Sequence, residues 1–412
     1  MALNIVWVAF FVIAFIVACI KFIFIPGNTD IFKILSDGIF DSAKSSVIDV
    51  AFPLAGTMVF FLGIMNIAEK AGAILKLSKL LNPFMKRLFP GIPDNHPSMG
   101  HMVMNFSANM LGLDNAATPF GLKAMEGLQE INEEKDTASN AMIMFLVLHT
   151  SGLTIIPLSI LAYRLASGSH NPASVFIPCV LATVCTTIAS ILIVAFKQKL
   201  KWDKVLVGGI LGLVTFVGVL MYWVNSMNDE QKNLFGKVAG NVLLLIIIVA
   251  IIIGGVIKKL NVFDAFIEGA QHGFGVVLKV IPYFVGMLVA IRVFRDSGAL
   301  DYVVNGISYL IGLTGIDTSF TPALPVAIMK PFSGGGARGL MLDVMKTRGA
   351  DSFVGQLAST FQGSSDTTFY IIALYYGSVG IKKIRYSLWA GIAADFIGVI
   401  CAIIIGYIFF KH

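Results

Sequence analysis

Long apolar runs alternate along this chain with short polar connectors. Near-continuous apolar stretches cover residues 2–25, 47–68, 174–196, 205–225, 238–257, 278–295 and 385–410. As helices, these match the roughly 20 residues needed to cross a hydrocarbon layer about 30 Å thick. Two further stretches, 137–163 and 352–378, are as long but are interrupted by polar residues. Residues 30–46 and 262–277 carry mixed charge, and 71–88 sets Lys76, Lys79, Lys86 and Arg87 on an otherwise apolar helix. These three predict helices lying in the membrane interface. Segments 98–129 and 322–347 are rich in Gly, Pro, Asn and Ser yet mostly apolar. Lipid cannot satisfy a broken backbone, so they predict re-entrant hairpins that are buried in protein or line a wet cavity. Residues 2–25 lack a basic leader and a convincing small-x-small cleavage site, so they read as a retained transmembrane helix.

Composition agrees with a polytopic membrane protein. Of 412 residues, 57% are apolar and only 13% charged, where soluble domains carry about 25% charged residues. The net charge of +6 comes from basic residues set between apolar runs, as topology signals are, so nucleic-acid binding is set aside. Cys19, Cys179, Cys185 and Cys401 all lie in apolar runs without metal-ligand spacing and read as small packing residues. A disulfide framework or structural zinc site is not expected.

The chain also repeats itself. Glu69-Lys70-Ala71-Gly72-Ala73 resembles Arg295-Asp296-Ser297-Gly298-Ala299, and at the same offset Asn105-Phe106-Ser107 resembles Pro331-Phe332-Ser333. Each member of the first pair follows an apolar span containing an early proline, Pro53 or Pro282. With a modest gap, Thr150-Ser151-Gly152-Leu153-Thr154 resembles Gly363-Ser364-Ser365-Asp366-Thr367-Thr368. The common order predicts two related halves, 1–197 and 237–412, joined by a linking helix within 198–236. The alternative is that Gly/Ser-rich membrane sequence matches itself easily. Lys197-Gln198-Lys199-Leu200-Lys201 is the strongest basic loop and belongs in the cytoplasm, as do Lys258-Lys259 and Lys382-Lys383-Ile384-Arg385. This places the N-terminus inside and the C-terminus outside, with the halves in opposite orientations. The fold class expected is an all-α polytopic membrane protein with two inverted-topology repeats, re-entrant hairpins, interrupted transmembrane helices and interfacial helices.

Polar residues at membrane depth supply the candidate chemistry. The first hairpin holds Asn105, Ser107, Asn109, Asp114 and Asn115. Amides both donate and accept, which suits a polar solute or a dehydrated ion; the alternative is that they satisfy the hairpin's own backbone. The second hairpin holds Lys330 and Ser333, then Gly334, Gly335 and Gly336, then Arg338. Its glycines permit a tight turn with exposed N–H groups at a helix start, which favours an anion. The alternative is close helix packing. The interrupted runs hold His149, Thr150, Ser151 and Gly152 in one half and Ser364, Ser365, Asp366 and Thr367 in the other. Breaks there free backbone groups to hold a ligand or ion, and Asp366 is an ionisable group at membrane depth. Helix capping is the structural alternative, and His149 reads as a hydrogen-bonded packing residue.

At these motifs the chain resembles a known family. The run Asn105-Phe106-Ser107-Ala108-Asn109-Met110-Leu111-Gly112-Leu113-Asp114-Asn115-Ala116-Ala117-Thr118-Pro119 resembles spore maturation protein A, as do Ile5-Val6-Trp7 and Leu88-Phe89-Pro90-Gly91-Ile92-Pro93. Phe361-Gln362-Gly363-Ser364-Ser365-Asp366-Thr367-Thr368-Phe369-Tyr370, Tyr375-Tyr376-Gly377-Ser378 and Lys330-Pro331-Phe332-Ser333-Gly334-Gly335-Gly336 resemble spore maturation protein B. The chain looks like a fusion of the two, each half carrying a nucleoside-recognition or gate domain. That domain is similar to parts of concentrative nucleoside transporters. The resemblance implies spore core dehydration in spore formers and a shared transport step, without naming the substrate.

The function expected is therefore a secondary transporter of the bacterial inner membrane. A small polar or anionic solute would bind between the hairpins and the helix breaks. Its contacts would be Asn105, Ser107, Asn109, Asp114, Asn115, Thr150, Ser151, Ser333, Gly334, Gly335, Gly336, Arg338, Ser364, Ser365, Asp366 and Thr367. No ATP motif is present, so no cofactor is expected and coupling would be to Na⁺ or H⁺, or absent. Alternatives are a lipid or lipid-linked carrier flippase and a scaffold for envelope proteins. An intramembrane enzyme using Ser333 or Ser151 with His149 is disfavoured, because no Gly-x-Ser-x-Gly elbow is present. Besides the bilayer and the solute, a homodimer is common in such folds, though nothing here specifies one.

Overall fold

A helix satisfies its backbone within its own segment, and the apolar runs fold that way. The computed structural model describes residues 2–93, 96–112 and 114–411. The side chains of residues 2–6, 50, 114–116, 229, 232–233, 236–237, 276–277, 279–280 and 283–284 lie outside that description. Among the described residues the fold is all-α. Six helices are long and apolar enough to cross a membrane: Trp7–Phe24, Ile31–Lys70, Pro172–Gln198, Lys204–Asn225, Val238–Ile257 and Ser387–Phe410.

The first half runs α1 (Ala2–Phe24), α2 (Ile31–Ser45), α3 (Phe52–Lys70), α4 (Ala73–Leu88), α5 (Pro97–Met110), α6 (Asp114–Glu130), α7 (Asn140–Thr150), α8 (Leu158–Ala166) and α9 (Phe176–Gln198). A linking helix, α10 (Lys204–Asn225), follows. The second half runs α11 (Asp229–Ile257), α12 (Val262–Asp296), α13 (Ala299–Gly312), α14 (Leu324–Met329), α15 (Gly334–Arg348), α16 (Phe353–Gly363), α17 (Thr368–Ser378) and α18 (Ser387–Phe410). Each half shows the same order: a first long helix, a very long helix, a short amphipathic helix, a helical hairpin, a broken helix and a last long helix. The turn into the amphipathic helix is made in both halves by a glycine with positive φ, Gly72 (78°) and Gly298 (85°). A side chain resists that conformation, which explains the matching sequence there.

Two expectations need correction. Residues 30–46 and 262–277 do not form separate interfacial helices. The first continues through a π-helical turn, Ser46–Ala51, into α3. The resulting 40-residue helix is about 60 Å long, at about 1.5 Å per residue. The extra residue of the π turn accommodates Pro53, whose ring lacks the N–H an unbroken α-helix needs. The second segment joins 278–295 in the single 35-residue α12, with Pro282 inside it.

These very long helices pack against one another at close range. On α12, Gly269 and Gly273 sit one turn apart against Leu62, Asn66 and Val59 of α3. A Cβ on Gly273 would lie 2.7 Å from Val59 Cα. Small residues at this spacing let two helix backbones approach. Asn66 Nδ2 donates to Ala265 O across the contact at 2.7 Å. Around this pair the helices differ in burial: α9 is mostly buried and central, α11 mostly exposed and peripheral.

The two broken helices, α7–α8 and α16–α17, are held together at three places. Residues ahead of α7 meet residues beyond α17: Lys382 N and Lys383 N donate to Asp136 O at 2.8 and 2.9 Å, and Ala138 N donates to Lys383 O at 2.9 Å. Arg385 Nη1 reaches Ala138 O at 3.0 Å, and Lys383 pairs with Asp136. Residues beyond α8 meet residues ahead of α16: Asp351 accepts from Ser169 Oγ at 2.5 Å and from His170 N at 2.7 Å. Arg164, fully buried on α8, donates to Asp351 Oδ1 and to Ala350 O, both at 2.7 Å. Midway, Asp366 N donates to Thr150 O at 2.8 Å. Start meets end at both extremities, so the broken helices run antiparallel and cross at their breaks.

Candidate functional site

The breaks form where local hydrogen bonding competes with the helix. Thr150 Oγ1 and Ser151 Oγ turn back to Val147 O and Leu148 O at 2.9 and 2.6 Å. Gly152 then takes a φ of 60°, and a Cβ there would lie 2.8 Å from Asp366 N. Only glycine allows the second break to approach so closely. In that second break Ser364 Oγ donates to Phe361 O at 2.9 Å, and Asp366 Oδ1 accepts from Thr367 N at 2.7 Å.

Each hairpin tip docks on the break of its own half. Ile155 N donates to Met110 O at 2.7 Å in the first half, and Phe369 N donates to Pro331 O at 3.0 Å in the second. Two tips and two breaks thus converge on a cavity of about 730 Å³. Of the sequence-predicted residues, Asn109, Ser333, Gly334, Gly335, Arg338, Ser365, Asp366 and Thr367 line it.

The other predicted residues do not line it. Asn105 is fully buried inside its hairpin: its Nδ2 donates to Ala117 O at 2.7 Å, and its Oδ1 lies 2.8 Å from His149 Nδ1. Ser107 Oγ donates to Val103 O at 2.7 Å and sits 3.0 Å from Ser78 Oγ. Thr150, Ser151 and Ser364 are turned to their own helices, and Ser151 also pairs with Thr187 at 2.9 Å. Gly336 faces Met329 and Met287, with its N–H capped by Ser333 Oγ at 3.0 Å. For these residues the alternative of satisfying local backbone and packing fits the geometry better. The side chains of Asp114 and Asn115 lie outside the described residues.

Several lining groups were not among the expected contacts: Lys330, Gln362, Gly152, Thr154, Tyr370 and the pair Phe332 and Phe369. Those two rings stack at 4.9 Å, with 16° between their planes. Lys330 and Gln362 adjoin the motifs already singled out, and adjacency was the available signal. Charge in the wall is uneven, with Lys330 and Arg338 against Asp366. Arg338 sits over the Tyr163 ring at 5.0 Å. Behind the second break, Asp395 of α18 is buried and accepts from Thr368 Oγ1 at 2.5 Å.

Outside the membrane-spanning helices, Asp351 is held below the usual carboxylate range. Burial raises it, but Ser169, the His170 N–H and Arg164 together outweigh burial. Asp136 is also held low, chiefly by Thr137 and Lys383.

These features define a helical, multi-pass membrane protein with two broken helices crossing beside a polar cavity. The family described as Gate, nucleoside recognition, matches the chain twice, over residues 51–166 and 277–382. Together these matches take in more than half of the chain, and the chain belongs to that family. It is similar to spore maturation protein B of Bacillus subtilis (strain 168), 45% identical over 160 residues, 39% of this chain and 88% of the relative. It is also similar to spore maturation protein A of the same organism, 38% identical over 190 residues, 46% of this chain and 92% of the relative. The protein is thus a membrane protein of the spore maturation family. No solved structure matches it.

Proposed function

We propose that this chain is a secondary transporter of the bacterial inner membrane, carrying a small polar or anionic solute rather than catalysing a reaction. The observation that carries this reading is the convergence of two hairpin tips and two helix breaks on one cavity. Discontinuous helices beside a polar cavity are how transporters present backbone groups to a solute. The antiparallel crossing of the broken helices supports inverted repeats, with the hairpins re-entrant. The basic loops support an N-terminus inside and a C-terminus outside. The relatives' names point to spore maturation, and in a spore former the transport step would serve it. Coupling would be to Na⁺ or H⁺, without a cofactor.

The test is access to the cavity from both sides. With the four native cysteines replaced, Ser365→Cys is labelled by a membrane-impermeant maleimide in right-side-out and inside-out vesicles. Alternating access predicts labelling from each side. In parallel, Asn109→Ala and Asp366→Ala are compared with the unsubstituted protein in a thermal-shift screen of nucleosides, carboxylates, phosphorylated lipids and Na⁺. Labelling from one side only, with no ligand-dependent shift, would move weight to a scaffold.

A further inference from the structure

Resting on the transporter reading, we infer that the solute is an anion. Its carboxylate or phosphate sits between Arg338 and the start of α15, and a hydrogen-bond donor on the same molecule meets Gln362. Three observations converge on that spot. Arg338 lines the cavity, is held on the Tyr163 face, and makes no hydrogen bond or ion pair among the described residues. Its Nε is shielded from solvent yet has no partner. A guanidinium so placed has lost hydration without gaining an acceptor, and a bidentate oxyanion fits its fork.

The start of α15 is in the same wall. Ser333 satisfies the N–H groups of Gly336 and Ala337, at 3.0 and 2.9 Å. Among the described residues this leaves the N–H groups of Gly334 and Gly335 without acceptors, at the positive end of a 15-residue helix. With no Cβ and open space where one would sit, Gly335 lets an oxyanion reach the backbone, while the same space at Gly334 is filled by Thr367 Oγ1.

Gln362 supplies the independent observation. It is 5% exposed and lines the cavity, and its Nε2 donates to Gly334 O at 3.4 Å, which places its amide beside the same helix start. Its Oε1 has no hydrogen-bond partner. A buried amide oxygen left open calls for a donor. Arginine and glycine N–H groups for the anion, with an open carbonyl beside them, select a small acid that carries a hydroxyl, amine or protonated phosphate oxygen.

The test uses purified full-length protein and four probes: inorganic phosphate, glycerol phosphate, small hydroxy- and amino-carboxylates, and neutral nucleosides. Vesicles with and without phosphatidylglycerol distinguish a lipid headgroup from a free solute. The expected result is a concentration-dependent thermal shift with an anion. Arg338→Gln should weaken it at least about tenfold, Arg338→Lys less, and Gln362→Leu should weaken only ligands bearing the donor. Without ligand, Arg338→Gln should unfold close to the unsubstituted protein, since no hydrogen bond is lost, so the variant remains readable. Phosphatidylglycerol acting where glycerol phosphate does not would assign the anion to a headgroup. Anion binding unchanged by Arg338→Gln, or no anion bound at millimolar concentrations, overturns the inference. A nucleoside bound equally by both proteins overturns it while leaving the transporter reading intact. Loss of two-sided labelling at Ser365→Cys instead overturns that reading.

Discussion

Arg164→Met should destabilise the protein more than any other single charge removal. The arginine is 0% exposed and donates to groups from both halves. Within its own half it reaches Pro172 O at 3.2 Å, Ser169 Oγ at 3.1 Å and Ser174 Oγ at 3.3 Å. Across the halves it reaches Ala350 O and Asp351 Oδ1 at 2.7 Å and Ser359 Oγ at 3.3 Å. Breaking a buried ion pair from one side costs about 3–5 kcal/mol, because the partner charge is stranded. Here Asp351 keeps Ser169 and the His170 N–H and is 32% exposed, so the lower figure applies to the pair. Stranding Ala350 O adds about 1 kcal/mol. We expect a loss of about 4 kcal/mol, read as a fall of several degrees in the unfolding midpoint in detergent. Arg164→Lys should recover only part of it, since an ammonium cannot span the same set of acceptors. Asp351→Asn should cost less than Arg164→Met. An Arg164→Met midpoint equal to that of the unsubstituted protein would refute the reasoning, showing that the burial cost of the guanidinium cancels its bonds.

Acid should weaken the same clasp. Because Asp351 is held low when folded, its contribution is full above about pH 4 and disappears as pH falls through its folded value. The stability gap between the protein and Asp351→Asn should therefore close in acid and stay constant near neutrality. Gly152→Ala should destabilise by more than about 1 kcal/mol and abolish ligand-induced thermal shifts, because a Cβ would meet Asp366 N and Ser365 C within 3 Å. Gly273→Leu should cost about 1–3 kcal/mol or more by forcing α12 off α3, measured by thermal unfolding. Thr137 and Lys383 pair like adjacent parallel strands, whose spacing of about 4.8 Å suits a disulfide, so Thr137→Cys with Lys383→Cys should oxidise readily, read as loss of free thiol.

How legible all this is from the sequence depends on the scale of the cause. The breaks and the hairpins stand out because polar residues and glycines in apolar runs have local causes. Gly72 and Gly298 announce matching turns because a positive φ is a local demand. Asn105 and Ser107 look functional for the same reason that makes them structural: a hairpin amid apolar helices must satisfy its own backbone. Arg164 does not stand out, since its partner Asp351 lies 187 residues away and only the crossing of the broken helices unites them. Nor does the continuity of α2 with α3, because the mixed charge of 30–46 reads as an interfacial helix set apart from the apolar run 47–68, and the π turn that joins them leaves no such mark. Arg338 and the glycines are visible as anion-favouring chemistry, but Gln362 gains meaning only from its place beside Gly334.

The clasps also restrict how a transporter of this build would move. From the repeat alone, rocking one half against the other is the natural mechanism. That motion would separate Asp136 from Lys383, Arg164 from Asp351 and Thr150 from Asp366 together, since each contact joins the two halves. The buried Arg164 contact alone makes this costly. The joints between hairpin and break are slighter. Each lies within a half and is made by one backbone hydrogen bond and a few side chains: Met110 to Ile155 with Asn105 to His149, and Pro331 to Phe369 with Gln362 to Gly334 and the stacked Phe332 and Phe369 rings. The crossed helices are therefore the better rigid unit, with the hairpins shifting against it to open the cavity to either side. The disulfide between positions 137 and 383 separates the two accounts. If the hairpins move, the oxidised protein keeps two-sided labelling at Ser365→Cys; if the halves rock, oxidation traps access on one side.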